Sequence, residues 1–550
     1  MNMNMNMNMN MAGRMRARAI VVACCLQTTA GYAWCSEDSP TKDSVAGKQP
    51  AARVTESDNT ARVTIRLVDA DTEAPLHGVI RVVQKSNGQR VRLPELIERE
   101  NGWYTVVPVV SFSVPATRLS IEAVRGLQTE LARVEIDATE ARNQTVTLSL
   151  RRFHDVARRG WKNGNTHLHI MKRTPEETER YLREVPESDD LDLVYLSHLR
   201  RIPDEQTYIS NSIVEQGLTD DTFQRLSDGN VLFRPGEEHR HNFGRGGEGF
   251  GHVMLLDIAK LIRPVSIGPG IMRSGTDGVP LQRGIREARR DGATVIWCHN
   301  ANGFEDIPNW VSGTLDAQNI FDGGNRGSYR HSFYRYLNIG LRVPFSTGTD
   351  WFIDDFSRVF VPLPGKLTSE AWLQQLAAGR TFITNGPLFE FMVDGRSIGD
   401  TLQISSPREL QVKASAVGRV DFRSLELIRN GEVIAAAQTR PEGGHFTAAL
   451  NESVLLNEAC WLAIRTPLES SDNEFGRAIY GHTSPIYVEY RKRRPFRPEI
   501  ALQLVGEIED SLQVIREKAA FANDSELQSV MDVYRSGIRL LRRKIVVHHQ

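Results

Sequence analysis

Asn165-Thr166-His167-Leu168-His169 is the stretch from which the fold and the chemistry of this chain can be worked out. Successive side chains of a β-strand point to opposite faces, so His167 and His169 would project from the same face. Two imidazoles on one face of a rigid strand can form half of a metal site. On its own the pattern is more typical of two half-buried packing histidines, so the other ligands have to come from elsewhere in the chain.

The sequence pattern of residues 160–390 indicates where in the chain the other ligands lie. Short apolar runs alternate there with helical stretches, which indicates parallel βαβ units and, at this length, a β/α barrel. Functional residues of such barrels lie at the carboxyl ends of the strands. Five predicted strands end at, or just before, residues that can bind a metal: His169, His198, Glu237 with Glu238, His299 and Asp350. His252 is an exception, because it precedes the apolar run 253–258.

The composition is that of a soluble globular protein. The 550 residues are too many for one domain, and 40% hydrophobic with 25% charged residues is an ordinary balance. A net charge of -1 gives no basis for nucleic-acid binding. The five cysteines contain no CxxC pair, so neither a disulfide scaffold nor a zinc ribbon is indicated.

The first 35 residues are predicted to be a secretory signal peptide. Three arginines within 14–18 precede an apolar run at 19–26, and the small residues Ala30 and Ala33 follow. The apolar run is far shorter than the roughly 20 residues that span a bilayer, so no stable membrane span is expected. These features predict a periplasmic or secreted protein that is cleaved near Ala30 or Ala33.

The rest of the chain divides into regions that differ in polarity and in the spacing of their apolar residues. Residues 36–59 are polar and aperiodic, as in a linker. Short alternating strands predict an N-terminal β-sandwich over 60–152 and a C-terminal β-sandwich over 395–490. Apolar residues at helical spacing predict C-terminal helices over 497–546.

A cluster of imidazoles with a shared carboxylate can hold two divalent cations close together. Such a pair lowers the pKa of a bridging water and binds the oxygens of the group under attack, so hydrolysis needs no nucleophilic side chain. A serine triad is not indicated, because the chain contains no GxSxG. Cys298 is expected to point away from its neighbour His299 and to pack as a small hydrophobe.

The order of these motifs resembles that of the PHP superfamily of metal-dependent hydrolases. The matching motifs are His167-Leu168-His169, Ser197-His198, Gly236-Glu237-Glu238, Gly251-His252, Cys298-His299 and Gly348-Thr349-Asp350. The segments 379–387 and 482–488 resemble more narrowly the carbaryl-hydrolase-like (CehA/McbA-type) branch. The resemblance implies a distorted seven-stranded β/α barrel with a multinuclear zinc, manganese or iron site.

The resemblance also implies the ligands, with Glu238 bridging two metals. The first metal would be held by His167, His169, Glu238 and Asp350, and the second by Glu238, His252 and His299. Residues 171–175 and Phe352 stand where two ligands of a third metal would be, and they cannot bind one. We therefore expect two metals, with His198 left to orient the leaving group or to act as an acid.

The sequence allows more than one role for several residues near the predicted ligands. Glu237 is expected to support the ligands or to lie on the surface. One of His239 and His241 fits a role in supporting the ligands or in a substrate pocket, and a solvated loop fits both equally well. His331 fits a helix surface or a packing position. The glycine-rich segment 243–249 is interpreted as a flap over the metals, because it does not follow the strand-to-helix pattern of a dinucleotide site.

The sequence thus predicts an exported hydrolase that cleaves an ester-type bond of a small molecule with a metal-bound hydroxide. The bond could be a phosphoester, a carbamate or a carboxyl ester. No Lys/Arg cluster is evident beside the predicted ligands, which argues mildly against a highly charged phosphate substrate. The alternative is a non-catalytic binding protein with a residual metal site and carbohydrate- or protein-binding β-domains. Nothing in the sequence indicates an oligomeric state.

Overall fold

The protein is a mixed α/β chain with several β-sheets. The computed structural model describes residues 60–202, 207–243, 249–301, 303–324, 327–468 and 470–549. The predicted signal peptide, the linker and residues 244–248 of the predicted flap lie outside these ranges. No helix in the described ranges is long and apolar enough to cross a bilayer.

The N-terminal strands form a three-stranded and a five-stranded sheet that pack around one apolar core. Val63, Ile65 and Leu67 alternate into this core, as the period of two predicts. The strands are β1 (Thr60–Asp69), β2 (Gly78–Gln84), β3 (Ile97–Glu98), β4 (Tyr104–Val106), β5 (Val109–Pro115), β6 (Arg118–Val124), β7 (Ala132–Asp137) and β8 (Asn143–Leu150).

The central region alternates strands with helices. Its strands are β9 (Trp161–His169), β10 (Leu193–His198), β11 (Leu232–Asn242), β12 (Gly249–Leu256), β13 (Ser266–Ile267), β14 (Thr294–Trp297), β15 (Ala317–Asn319), β16 (Phe345–Ser346), β17 (Asp350–Trp351), β18 (Arg358–Pro362) and β19 (Phe382–Thr384). Its helices are α1 (Pro175–Ser188), α2 (Ile209–Gly217), α3 (Thr222–Leu226), α4 (Pro269–Met272), α5 (Leu281–Arg290), α6 (Asp306–Ser312), α7 (Arg335–Leu337) and α8 (Ser369–Ala377).

The central sheet contains parallel pairs and also antiparallel pairs, at β12 and at β18, which runs antiparallel to β9 and β19. Strands β9, β10 and β11 pair in parallel, as do β14, β15 and β16. Strand β12, which carries the predicted ligand His252, runs antiparallel to both β11 and β14, so the prediction of parallel βαβ units is wrong there. The reason is that β11 and β12 form a hairpin with no crossover helix between them.

The backbone ladders of the described strands do not close this sheet into a barrel. Strand β17 pairs with β9, and β16 pairs with β15, but no described ladder joins β16 to β9. The Thr166 hydroxyl spans this gap by donating to the carbonyl of Thr347 at 2.8 Å. The closed seven-stranded barrel therefore stays a prediction.

The C-terminal strands form a second β layer that is continuous with the central sheet. One five-stranded sheet has the order β21-β20-β23-β27-β26, and β29 pairs with β19 of the central sheet. The strands are β20 (Leu388–Val393), β21 (Arg396–Ser397), β22 (Thr401–Ile404), β23 (Arg408–Gly418), β24 (Ser424–Arg429), β25 (Glu432–Gln438), β26 (Arg440–Glu442), β27 (His445–Leu456), β28 (Cys460–Arg465), β29 (Gly481–Thr483) and β30 (Ile486–Tyr490).

Two long helices end the chain, α9 (Pro498–Lys518) and α10 (Asp524–His549). Leu504, Ile508 and Ile515 lie on one face of α9 and are buried in the large central core. This burial explains the apolar residues at helical spacing in the sequence.

A buried ion pair joins the N-terminal sheets to the central region. Arg99 donates to both carboxylate oxygens of Asp189 at 2.9 Å, and both side chains are almost fully buried. Arg99→Ala is expected to lower the free energy of unfolding by about 3–5 kcal/mol, because it leaves the Asp189 carboxylate buried and unpaired. Urea unfolding followed by circular dichroism measures this loss.

The matched control for Arg99→Ala is Arg118→Ala. Arg118 pairs with Asp137 at 3.0 Å, but its side chain is 78% exposed, so solvent screens the pair. Little change in stability is expected from this control. Equal losses from both variants would contradict the role assigned to the buried pair.

Candidate metal centre

The six residues predicted as metal ligands lie together in one cluster. They form two groups that share Glu238, and the ligand atoms within each group lie within 4.8 Å of one another. The first group is His167, His169, Glu238 and Asp350, and the second is Glu238, His252 and His299. All six side chains are buried or nearly so. The cluster is therefore able to bind divalent cations.

Strand β9 presents its two histidines as its period of two predicts. The Nε2 atoms of His167 and His169 are 3.1 Å apart, and each ring is held by a hydrogen bond from its Nδ1. Nδ1 of His167 lies 3.0 Å from a carboxylate oxygen of Asp322, and Nδ1 of His169 lies 3.0 Å from the carbonyl oxygen of Ser197. These contacts orient both rings.

The close approach of the two Nε2 atoms shows whether a cation fits between His167 and His169. Burial lowers the pKa of His167 to about 4, although Asp322 opposes the shift, so the ring is neutral near pH 7. When both rings donate from Nδ1 and are neutral, their Nε2 atoms present two lone pairs to each other across 3.1 Å. A cation bound by both atoms turns this repulsion into attraction, so the donor set fits a metal ion.

Glu238 divides its two oxygens between the two groups. Oε2 lies 3.1 Å from Nε2 of His169, whereas Oε1 lies 3.2 Å from Nδ1 of His252 and 3.2 Å from Nε2 of His299. Burial opposes ionisation of this carboxyl. The Arg240 guanidinium and the three imidazoles nevertheless hold its pKa well below the usual range. Glu238 is thus an ionised carboxylate with one oxygen toward each group.

His252 joins the cluster because β12 runs antiparallel. The start of β12 lies beside the end of β11, with His252 opposite Arg240 in the register. Nε2 of His252 lies 2.9 Å from Oδ1 of Asn242, an oxygen that can only accept. Nε2 therefore donates, and Nδ1 is the atom that faces Glu238.

Three non-glycine residues at or beside the cluster have a left-handed backbone conformation. His299, Asn300 and Asp350 have φ values of 53°, 58° and 58°. Such conformations are uncommon in non-glycine residues and are often found at functional sites. Here they turn the side chains that follow β14 and β16 into the cluster.

The expectation that Cys298 packs away from the cluster is wrong. Its thiol belongs to a group with His167, His299 and Asp322 in which the potential ligand atoms lie within 4.8 Å of one another. The alternation rule fails because β14 ends at Trp297, and His299 already has a positive φ. Burial and the neighbouring carboxylates raise the pKa of the Cys298 thiol well above its usual value, so the thiol stays protonated.

Asp322 is a site residue that the sequence prediction missed. It accepts from Nδ1 of His167 and, at 3.2 Å, from the backbone N–H of His299. Burial opposes its ionisation, but His299 and His167 hold its pKa far below the usual range. Asp322 follows β15 by three residues, so the strand-end rule that found His198 would also have found it.

Strand β11 separates two sets of side chains. Glu238, Arg240 and Asn242 share the face toward the cluster, whereas Glu237, His239 and His241 share the other. His239 pairs with Glu237 at 3.1 Å, and His241 pairs with Asp277 at 3.0 Å. Glu237 is therefore buried on the face of β11 away from the predicted ligands, where it forms hydrogen bonds with His239 and with the backbone N–H of Ile262. The two histidines form neither a substrate pocket wall nor a solvated loop.

Arg240 places a positive charge beside the predicted ligands. It is 1% exposed, and its guanidinium lies 3.7 Å from Oε2 of Glu238. The sequence-based argument against a highly charged phosphate substrate concerned a cluster of Lys and Arg side chains. One buried arginine paired with Glu238 is not such a cluster, so that argument stays a prediction.

His198, Phe352 and His331 do not belong to the cluster. His198 ends β10, and its Nε2 lies 3.1 Å from Oε1 of Glu215. Phe352 lies under the guanidinium of Arg173, whose central carbon is 5.3 Å from the ring centroid. His331 is exposed on a short π-helical turn. The action of His198 on a leaving group stays a prediction.

Comparisons with known proteins do not assign a family. No protein-family model and no curated protein matches the chain. One solved structure, of an engineered protein, aligns with this chain at 12% sequence identity. The alignment covers 56% of this chain and 51% of the engineered protein. Its TM-score is 0.15, which carries no argument about fold or function.

Proposed function

We propose that the protein is an exported metal-dependent hydrolase of the PHP type that cleaves an ester-type bond of a small molecule. The observation that carries the proposal is the division of Glu238 between two ligand groups, with one oxygen toward each. A carboxylate in this position fits a pair of divalent cations. The motif order described above supports the superfamily and its distorted seven-stranded β/α barrel.

The two groups of ligands would each hold one cation. His167, His169, Glu238 and Asp350 would hold one cation, and Glu238, His252 and His299 the other. Two such cations would lower the pKa of a water and stabilise negative charge on the group under attack.

Other side chains support that centre. Asp322 orients His167, and the Ser197 carbonyl orients His169. Arg240 balances the charge of Glu238. The scissile bond is a phosphoester, a carbamate or a carboxyl ester.

Metal content is the first test of the two-cation proposal. Protein purified without chelator is expected to contain about two equivalents of zinc, manganese or iron per chain, measured by inductively coupled plasma mass spectrometry. A value near three equivalents would refute the binuclear assignment. A value near zero after reconstitution with each metal would refute the metal centre.

Turnover is the second test. The metal-loaded protein should hydrolyse at least one of an aryl phosphodiester, an aryl carbamate and an aryl acetate, and chelation should abolish this activity. His167→Ala should abolish it as well, whereas His331→Ala should not, because His331 is exposed outside the cluster. Full metal occupancy without turnover on any of these substrates would favour the alternative of a binding protein. N-terminal sequencing of the mature protein tests export.

A further inference from the structure

We propose that a cavity beside the metal cluster binds an oxyanion, a carboxylate or phosphate substituent of the substrate, through Lys172 and Arg173. This inference rests on the proposed hydrolase function and specifies the substrate class. The cavity has a volume of about 570 Å³, which is enough for a small organic anion. Lys172, Arg173, His198, Tyr208 and Glu215 are among its lining residues.

Two neighbouring rings connect this cavity to the cluster. Tyr208 lines the cavity and stacks on Trp351, with ring centroids 5.6 Å apart and planes at 26°. Trp351 in turn packs against His169, at 5.2 Å between centroids. Along the other wall, His198 directly follows Ser197, whose carbonyl orients His169. Along the first wall, two side chains, Tyr208 and Trp351, therefore lie between the cavity and the proposed metal ligand His169.

The two basic side chains of the lining are not paired with its two carboxylates. No ion pair is formed by Lys172 or Arg173 within the described part of the chain. The two acidic side chains of the lining have other partners, because Glu177 accepts from the backbone N–H of Thr174 at 2.9 Å and Glu215 contacts His198. The N–H donors of Lys172 and Arg173 thus remain available to an anion.

Arg173 is held in place without being neutralised. Its guanidinium lies over the rings of Tyr181 and Phe352, at 4.9 Å and 5.3 Å from the centroids. Aromatic faces fix the direction of a guanidinium but leave its full charge and its N–H donors. Its Nε atom is buried and has no hydrogen-bond partner among the described residues. An oxyanion in the cavity would accept from the guanidinium of Arg173, which lines it.

The N-terminus of helix α1 also lies at this wall. Helix α1 begins at Pro175, directly after Lys172, Arg173 and the capping residue Thr174. Its N-terminus adds partial positive charge beside the two cations. The helix supports the site but does not define it, because the Thr174 cap already satisfies one of its N–H groups.

Binding is tested by isothermal titration of the full-length protein, as purified, with inorganic phosphate and with monomethyl succinate. Lys172→Gln and Arg173→Gln are each expected to weaken the affinity for both anions about tenfold, and Arg173→Lys should restore part of the loss. The control is Arg180→Gln, since Arg180 is exposed on α1 and pairs with Glu184. Unchanged affinity in both glutamine variants would overturn the proposal.

Two further outcomes separate this inference from the proposed function. Lys172 is exposed, so Lys172→Gln should fold and bind metal as the wild type does. If the wild type hydrolyses an aryl succinate and an aryl acetate, the variants should raise KM for the anionic ester alone, with kcat unchanged. If the variants change KM equally for the two esters, the anion site is refuted. Anion binding without hydrolysis of any ester refutes only the proposed function.

Discussion

Glu238→Gln is expected to reduce the bound metal from about two equivalents to one or fewer and to lower turnover at least 100-fold. The reason is that the two carboxylate oxygens serve different groups of ligands. A glutamine amide has one oxygen and one NH₂ group, so one of the two groups would face a donor in place of an acceptor. The loss of the negative charge would weaken the other group as well. Metal analysis and initial rates at saturating metal measure the two effects.

The neighbouring carboxylate supplies a matched control. Glu237 has the same charge and length, but it faces the other side of β11, where it contacts His239 and accepts from the backbone N–H of Ile262 at 2.7 Å. Glu237→Gln should keep both equivalents of metal and most of the turnover. If both variants lose metal to the same extent, Glu238 is not a bridging ligand.

Asp322→Asn is expected to weaken metal binding 10- to 100-fold, the range found when the partner of a ligating histidine is removed. The Asp322 carboxylate accepts from Nδ1 of His167 and from the backbone N–H of His299. An asparagine that keeps its oxygen toward His299 turns its NH₂ group toward His167. Nδ1 of His167 would then have to accept a hydrogen bond, so the proton of the neutral ring would move to Nε2. A protonated Nε2 has no lone pair for a metal. Competition with a fluorescent chelator measures the affinity.

Asp316→Asn is the control for this prediction. Asp316 lies at the opposite end of β15, where it accepts from the backbone N–H of Val295 at 2.9 Å and pairs with Arg289. Its loss should alter stability but not metal affinity. An effect on affinity equal to that of Asp322→Asn would show that general destabilisation, and not the orientation of His167, causes the change.

Side-chain alternation within single strands was the most reliable guide from sequence to site. It put His167 and His169 on one face of β9, and the structure places their Nε2 atoms 3.1 Å apart. It also separates Glu238 from Glu237. The rule works because the period of two is a property of any extended backbone and does not depend on the neighbouring strands.

The same rule failed where a strand ended. It assigned Cys298 to the far side of the sheet, but β14 stops at Trp297 and the backbone then adopts positive φ values. Strand ends are decided by hydrogen bonds to neighbouring strands, and local residue patterns predict them poorly. The short apolar runs of this chain contain no other signal for that boundary.

The sequence by itself determined which residue types are available and how they alternate along each strand: the paired histidines of β9, the carboxylate of β11 and the strand-end positions of His299 and Asp350. Only the tertiary structure decided how they meet. His252 reaches Glu238 because β12 folds back antiparallel, and Asp322 becomes a partner of His167 across 155 positions of sequence. The physical reason is that alternation is set by local backbone geometry, whereas strand direction and long-range hydrogen bonds are set by packing between distant segments.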